Sequence, residues 1–208
     1  MAGESLGGSI SIPLRGKGHY RIARRFVPAG TTLAGILWTL RNPNNSGMLI
    51  VVERANLRLV QLAAPTAAIE DQFNLTFARS YTVADTTGSV SIAPAAGQQK
   101  LRTNMGDATA EVRESNVAAG ASGGTKTIDT DFMLVGGVFV SAAVAATGGF
   151  PAAEIFDYNP PVGNGEYPIV LDANEGILIR NANALGAASG IILYFELEWS
   201  EIAAYPGV

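Results

Sequence analysis

Cysteine is absent from this 208-residue chain, which removes disulfides, thiolate nucleophiles and thiolate metal sites together. Histidine occurs once, at position 19, so there is no multi-histidine metal centre and no imidazole close in sequence to a serine nucleophile. Charged residues make up only 15% of the chain, the low share expected of a β-sandwich or of a protein that hides surface in an assembly. No apolar run is long enough to cross a bilayer. The longest, Phe132–Ala146, is interrupted by Gly136, Gly137 and Ser141 and reads as a buried strand entering an Ala-rich loop. Met1–Ser9 has neither the basic start nor the apolar stretch of a secretory signal. The expectation is a soluble protein made inside a cell and not exported by this route, with no membrane contact. No stretch of twelve residues shows helical periodicity.

What is present is turn chemistry and alternation. There are 24 glycines and 10 prolines. A strand has a side-chain period of two, and the last segment follows it closely. There Ile191, Leu193, Phe195, Leu197 and Trp199 point one way, while Ile192, Tyr194, Glu196, Glu198 and Ser200 point the other. Tyr20–Val27 sets Tyr20, Ile22 and Phe26 against Arg21 and Arg25. Ile36, Trp38 and Leu40 mark a strand ending at Arg41, followed by the dense turn signal Asn42–Gly47. Met48–Val52 is apolar on both faces, and Leu57 and Leu59 then alternate with Asn56 and Arg58; a bulge near Glu53 or Arg54 accounts for the change of phase. Phe73, Leu75, Phe77, Tyr81 and Val83 alternate with Asn74, Thr76, Ala78, Ser80 and Thr82, which places Tyr81 on the Phe73 face. Ala110–Arg113, Thr125–Ile128 and Phe132–Val140 read as further strands, Asp172–Gly176 as a turn and Ile177–Asn181 as the strand after it. Ala142–Asn164 reads as irregular, with a helical turn over Pro151-Ala-Ala-Glu154-Ile155-Phe156. Leu40-Arg41-Asn42-Pro43 and Ile179-Arg180-Asn181-Ala182 both close a strand with Arg-Asn and suggest equivalent corners of two sheets. Some eight strands with long loops fit an all-β, antiparallel two-sheet jelly-roll sandwich over residues 19–208, preceded by an extended N-terminal arm over 1–18.

The charge is uneven. Net charge is −4, yet residues 1–58 carry eight Lys/Arg and two acids, while the remainder carries six bases and sixteen acids. Two interpretations stand side by side: a basic docking surface, or charges that line strand faces and meet the acids in space.

Sites for catalysis fail on their own chemistry. Gly120-Ala-Ser122-Gly-Gly124 matches the pattern of a nucleophile elbow, but the histidine must follow the serine, and His19 lies far upstream. Asp172, Asn174 and Gly176 match part of a calcium loop that lacks its closing glutamate, and a β-turn is the simpler account. Asp129 and Asp131 remain a candidate cation pair in a strand-edge loop. Glu196, Glu198 and Glu201 have no second acidic strand or aromatic platform to make a glycosidase, so they read as solvent-face or subunit-contact charges. No cofactor, metal or small-molecule substrate is expected. An acidic chain without a recognised module is not expected to bind nucleic acid either.

A series of segments resembles structural proteins of tailed bacteriophages, particularly jelly-roll capsid decoration (cement) proteins. It comprises Leu40-Arg-Asn-Pro43, Ser46-Gly-Met-Leu-Ile-Val-Val52, Ala78-Arg-Ser-Tyr-Thr-Val-Ala-Asp85 with Gly88, Lys100-Leu-Arg-Thr103 and Met105-Gly106. Gly124-Thr-Lys-Thr-Ile-Asp129, Asn174-Glu-Gly-Ile-Leu-Ile-Arg-Asn181 and Glu196-Leu-Glu-Trp-Ser-Glu201 complete it, in order across most of residues 30–202. The resemblance implies a homotrimer on the outer surface of a virion, clamping the major capsid protein lattice without catalysis. On that footing Ile10, Ile12, Leu14, Arg15 and Lys17 of the arm, with Arg21, Arg24 and Arg25, are the expected capsid contacts. The alternative is a trimeric fibre or tail-associated protein that binds host glycan, for which Tyr158 and Tyr167 are the loop aromatics.

Overall fold

The computed structural model describes residues 16–27, 35–61, 69–92, 100–101, 105–117, 119–140, 152–160, 168–183 and 191–203. Twelve strands run through them: β1 (Gly16–Phe26), β2 (Gly35–Arg41), β3 (Met48–Gln61), β4 (Ile69–Val83), β5 (Ser89–Ser91) and β6 (Glu111–Ser115), followed by β7 (Thr125–Ile128), β8 (Leu134–Val140), β9 (Ala152–Tyr158), β10 (Ile169–Leu171), β11 (Gly176–Asn181) and β12 (Ile191–Ala203). They form two antiparallel sheets packed as a sandwich. The first has the order β1-β12-β3, with β10 and β9 both along the far edge of β3; the second has the order β5-β6-β2-β11-β4, with β7 and β8 both along the far edge of β4.

The alternating residues of the two sheets meet in one core. Tyr20, Ile22, Leu57, Leu193, Phe195, Leu197 and Trp199 come from the first sheet, and Trp38, Leu40, Phe73, Leu75, Ile177 and Ile179 from the second, all essentially buried. An aromatic spine links the layers: the Trp38 ring lies 4.9 Å from Phe195 and 5.2 Å from Phe26, and Tyr20 stacks on Trp199 at 5.5 Å.

Bulges decide which residues reach that core. Glu198 pairs with Arg54 and Trp199 with Val52, so Glu53 is the extra residue expected from the change of phase. Because of it Ile50 and Val52 point inward before it, and Ala55, Leu57 and Leu59 after it. In β4 the alternation breaks. Ser80 takes a φ of 50° and the register shifts between Arg79 and Val83. Tyr81 therefore leaves the Phe73 face and packs with Ile36, Ala78, Ala121 and Leu178 in a second, smaller cluster, while Val83 is exposed. A left-handed residue rotates the strand about its axis, and no period-two count registers it.

Three further expectations differ from the structure. Residues 152–158 form β9, held by pairing with residues 55–60 of β3, and not a helical turn. The two Arg-Asn corners belong to strands β2 and β11, which are antiparallel neighbours in one sheet and so end at opposite sides of it. Both asparagines are buried and brace backbone: Asn42 donates to the carbonyls of Met48 and Leu171, and Asn181 accepts from the Gly35 amide. Gly16–Gly18, included in the expected arm, pair with β12.

The sandwich is drawn tight where β8 meets β9. A Cβ on Gly136 would stand 2.1 Å from the Ile155 carbonyl oxygen, so only glycine lets the two backbones approach.

Candidate functional site

Of the eight expected capsid contacts, Ile10, Ile12, Leu14 and Arg15 lie outside the described residues, as does the side chain of Lys17. Arg21 and Arg25 project from the outer face of β1. Arg24 has the parity of Ile22 and Phe26 and turns towards the other sheet, where its Nε and Nη2 donate to Glu114 of β6 at 3.2 and 3.1 Å. The three arginines thus do not form one surface.

Arg21 is itself engaged. The outer face of the first sheet is a cross-strand charge ladder. Arg21 of β1 lies 3.0 Å from Glu196 and 3.2 Å from Glu198, both on β12. Arg54 of β3 reaches Glu196 at 3.8 Å and Asp157 of β9 at 3.4 Å. At one end Glu53, the bulge residue, is 2.6 Å from the His19 ring nitrogen and accepts from the Ser200 hydroxyl. The basic N-terminal strand and the acidic C-terminal strand neutralise one another here, so Glu196 and Glu198 are internal partners of this chain.

The other end of the ladder differs. Arg25, Tyr194 and Arg58 stand in register across β1, β12 and β3, all three exposed. Neither guanidinium has an ion pair or hydrogen bond among the described residues. Glu154 of β9 is in register beyond Arg58, and its carboxylate receives the Asn56 amide at 3.4 Å. Arg58 and Tyr194 are the two members of this row that sequence reasoning missed. The outward parity of each was legible; their adjacency to Arg25 was not.

The second sheet has a different exposed feature. Val135 and Phe139 on β8, 56% and 69% exposed, flank Gly137. With Glu70, Gln72, Val138 and Asn183 they line an open groove of about 600 Å³.

Buried ionisable groups are occupied structurally. Glu201, fully buried, accepts from the backbone amides of Thr109 and Ala110 and from the Thr109 hydroxyl at 2.7–2.9 Å, so it fastens the 109–110 segment to β12 and is not a surface charge. Burial, with the charges of Glu201 and Asp107, pushes the Tyr20 phenol up to about 12. On the outer side of the second sheet the Lys126 ammonium sits 2.6 and 2.7 Å from the two oxygens of the buried Asp85. Asp85 also takes the Tyr81 hydroxyl and the Gly124 amide at 3.0 Å. The Tyr81 ring lies between Lys126 at 5.0 Å and Arg41 at 5.7 Å, and burial, then the Asp85 hydrogen bond, raises its phenol well above the usual tyrosine range. This cluster locks the β4–β7 edge to β2.

The remaining sequence motifs resolve similarly. Ser122 exchanges backbone hydrogen bonds with Thr87 at 3.0 Å in an extended segment, not a strand-to-helix elbow. Asp129 pairs with Arg79 at 3.3 Å. Asp172–Glu175 is a β-turn, with the Glu175 amide on the Asp172 carbonyl at 3.0 Å and Asn174 at a φ of 61°. The Tyr158 hydroxyl accepts the Ile169 amide at 2.7 Å, and Tyr167 lies outside the described residues.

Comparison with protein-family models, with curated proteins and with solved structures finds no match to this chain.

Proposed function

We propose that this protein is a non-catalytic virion component of a tailed phage, a jelly-roll capsid decoration protein that binds the major capsid protein lattice as a homotrimer on the outside of the shell. The resemblance of its segments supplies the family. The observation that best supports a binding role is the use of its charged groups. Arg24–Glu114, Lys126–Asp85 and the Glu201 clamp all brace the sandwich as a rigid body, while Arg25 and Arg58 stand exposed on its outer face with no ion pair among the described residues. A stiff body attaches with little loss of conformational freedom, and three tethered copies convert weak single contacts into lasting attachment. The test is to add purified protein to expanded shells lacking decoration and to measure retention on sedimentation. Saturable retention at a fixed ratio, reduced by deletion of residues 1–18, is expected. A protein that stays in the supernatant at all concentrations overturns the proposal.

One observation favours a second reading, a trimeric fibre or tail-associated protein that binds host glycan. A sugar stacks its C–H face on an exposed aromatic ring and hydrogen-bonds to planar polar side chains, and the Phe139 groove offers both, with Glu70, Gln72 and Asn183. A glycan-array signal abolished by Phe139→Ala, without retention on shells, would select it.

A further inference from the structure

The geometry points to the Arg25–Tyr194–Arg58 row as the docking site for a carboxylate-rich segment of the partner protein. This deepens the lattice-binding role proposed above and rests on it for the partner's source. Every other arginine described on this outer face has a carboxylate of its own: Arg21 has Glu196 and Glu198, and Arg54 has Glu196 and Asp157. Arg25 and Arg58 have none among the described residues, although both lie on the same sheet face within reach of solvent. The carboxylates of the ladder are thus taken up by Arg21 and Arg54, while Arg25 and Arg58 stand at one end without an ion pair among the described residues, with an exposed phenol between them.

The spacing suits an extended acidic peptide. Adjacent strands lie about 4.8 Å apart, so the backbones of Arg25 and Arg58 are about 10 Å apart across Tyr194. Two carboxylates at positions i and i+2 of an extended segment share a face about 7 Å apart, which two long, flexible arginines converge to meet. Each guanidinium presents a planar fork that a carboxylate fills with two parallel hydrogen bonds. Tyr194, 39% exposed, adds an apolar ring for the segment's backbone and a hydroxyl at its rim. Glu154, in register beyond Arg58, with Glu196 and Asp157 one step along the strands, bounds the site with negative charge. A nucleic-acid backbone, whose charges continue past two arginines, would run onto those acids; a short acidic segment stops before them.

The test uses the full chain, labelled so that arginine side-chain N–H resonances are resolved, titrated with octaglutamate. Arg25 and Arg58 are expected to shift together with the Tyr194 ring, while Arg21 and Arg54 stay in place. Arg25→Ser/Arg58→Ser should weaken octaglutamate binding about tenfold or more, as should raising salt from about 50 to about 500 mM, with Arg21→Ser changing it less than about twofold. The double variant keeps the wild-type thermal midpoint, because neither side chain braces the fold. Unchanged octaglutamate affinity in the double variant overturns the proposal, as does a DNA duplex that displaces the peptide from these resonances. A double variant that binds no octaglutamate but still saturates shells overturns the partner assignment. A wild-type protein that binds octaglutamate through the row yet ignores shells leaves the carboxylate site standing and removes the lattice role instead.

Discussion

Arg24 of β1 and Glu114 of β6 join the two sheets across one edge of the sandwich, with two guanidinium N–H groups on the carboxylate and the buried Trp38 indole N–H on the same carboxylate at 2.9 Å. Three N–H donors from two strands, β1 and β2, converge on one carboxylate of a third. Glu114→Ala strands a buried indole and a half-buried cation and should cost about 2–3 kcal/mol. Arg24→Ala leaves Glu114 its indole partner and should cost about 1 kcal/mol. Urea midpoints of the two single variants and the double variant check this; strict additivity would show that the clasp is not a unit.

The Asp85–Lys126 pair makes the opposite kind of prediction. With the Lys126 side chain only 8% exposed and Asp85 fully buried, removing either partner leaves an uncompensated buried charge. Asp85→Ala or Lys126→Met should each cost about 3–5 kcal/mol, whereas the two together should cost less than either alone. Denaturant unfolding of all three variants decides it, and a double variant worse than both singles would contradict the arrangement.

Neighbouring glycines should respond oppositely. Gly136→Ala drives a methyl into the Ile155 carbonyl and should destabilise by about 3 kcal/mol or prevent folding. Gly137→Ala meets nothing nearer than the Asp71 carbonyl at 4.0 Å and should shift stability by less than about 0.5 kcal/mol. Equal thermal midpoints for the two would mean that β8 and β9 are not pressed together.

Asp71 predicts a pH dependence. Burial raises its carboxyl above the usual range, and the amides of Asn183 and Gln72 pull the other way without prevailing. The folded chain therefore holds this proton more tightly than the unfolded one. Its contribution is fully present below the ordinary carboxyl pKa and is lost as pH rises through the raised folded value. Asp71→Asn keeps an oxygen for both amides and avoids that loss, so it should gain on wild type over the interval where pH rises above the ordinary carboxyl pKa. Thermal midpoints across that interval test it; a constant gap, or one that narrows upward, would refute the assignment.

Much of the fold could be read from local pattern. The buried face of β12, the Asn42–Gly47 turn and the phase change at Glu53 were all visible, because alternation is a property of a strand's own residues. The face of Tyr81 was not, since one left-handed residue at Ser80 undoes the count. Nor was the division of labour among Arg21, Arg24 and Arg25, which depends on Glu196, Glu198 and Glu114, far away in sequence.

The amino-acid order alone determined that this chain alternates, turns often, carries no thiol and has one histidine; these are short-range facts about side-chain period and composition. Which strand lies beside which was decided by tertiary structure, because pairing is settled by burying one shared core and by long-range closure of the chain. Only that pairing brought the acids of β12 onto Arg21 and Arg54, and left Arg25 and Arg58 facing solvent on either side of Tyr194.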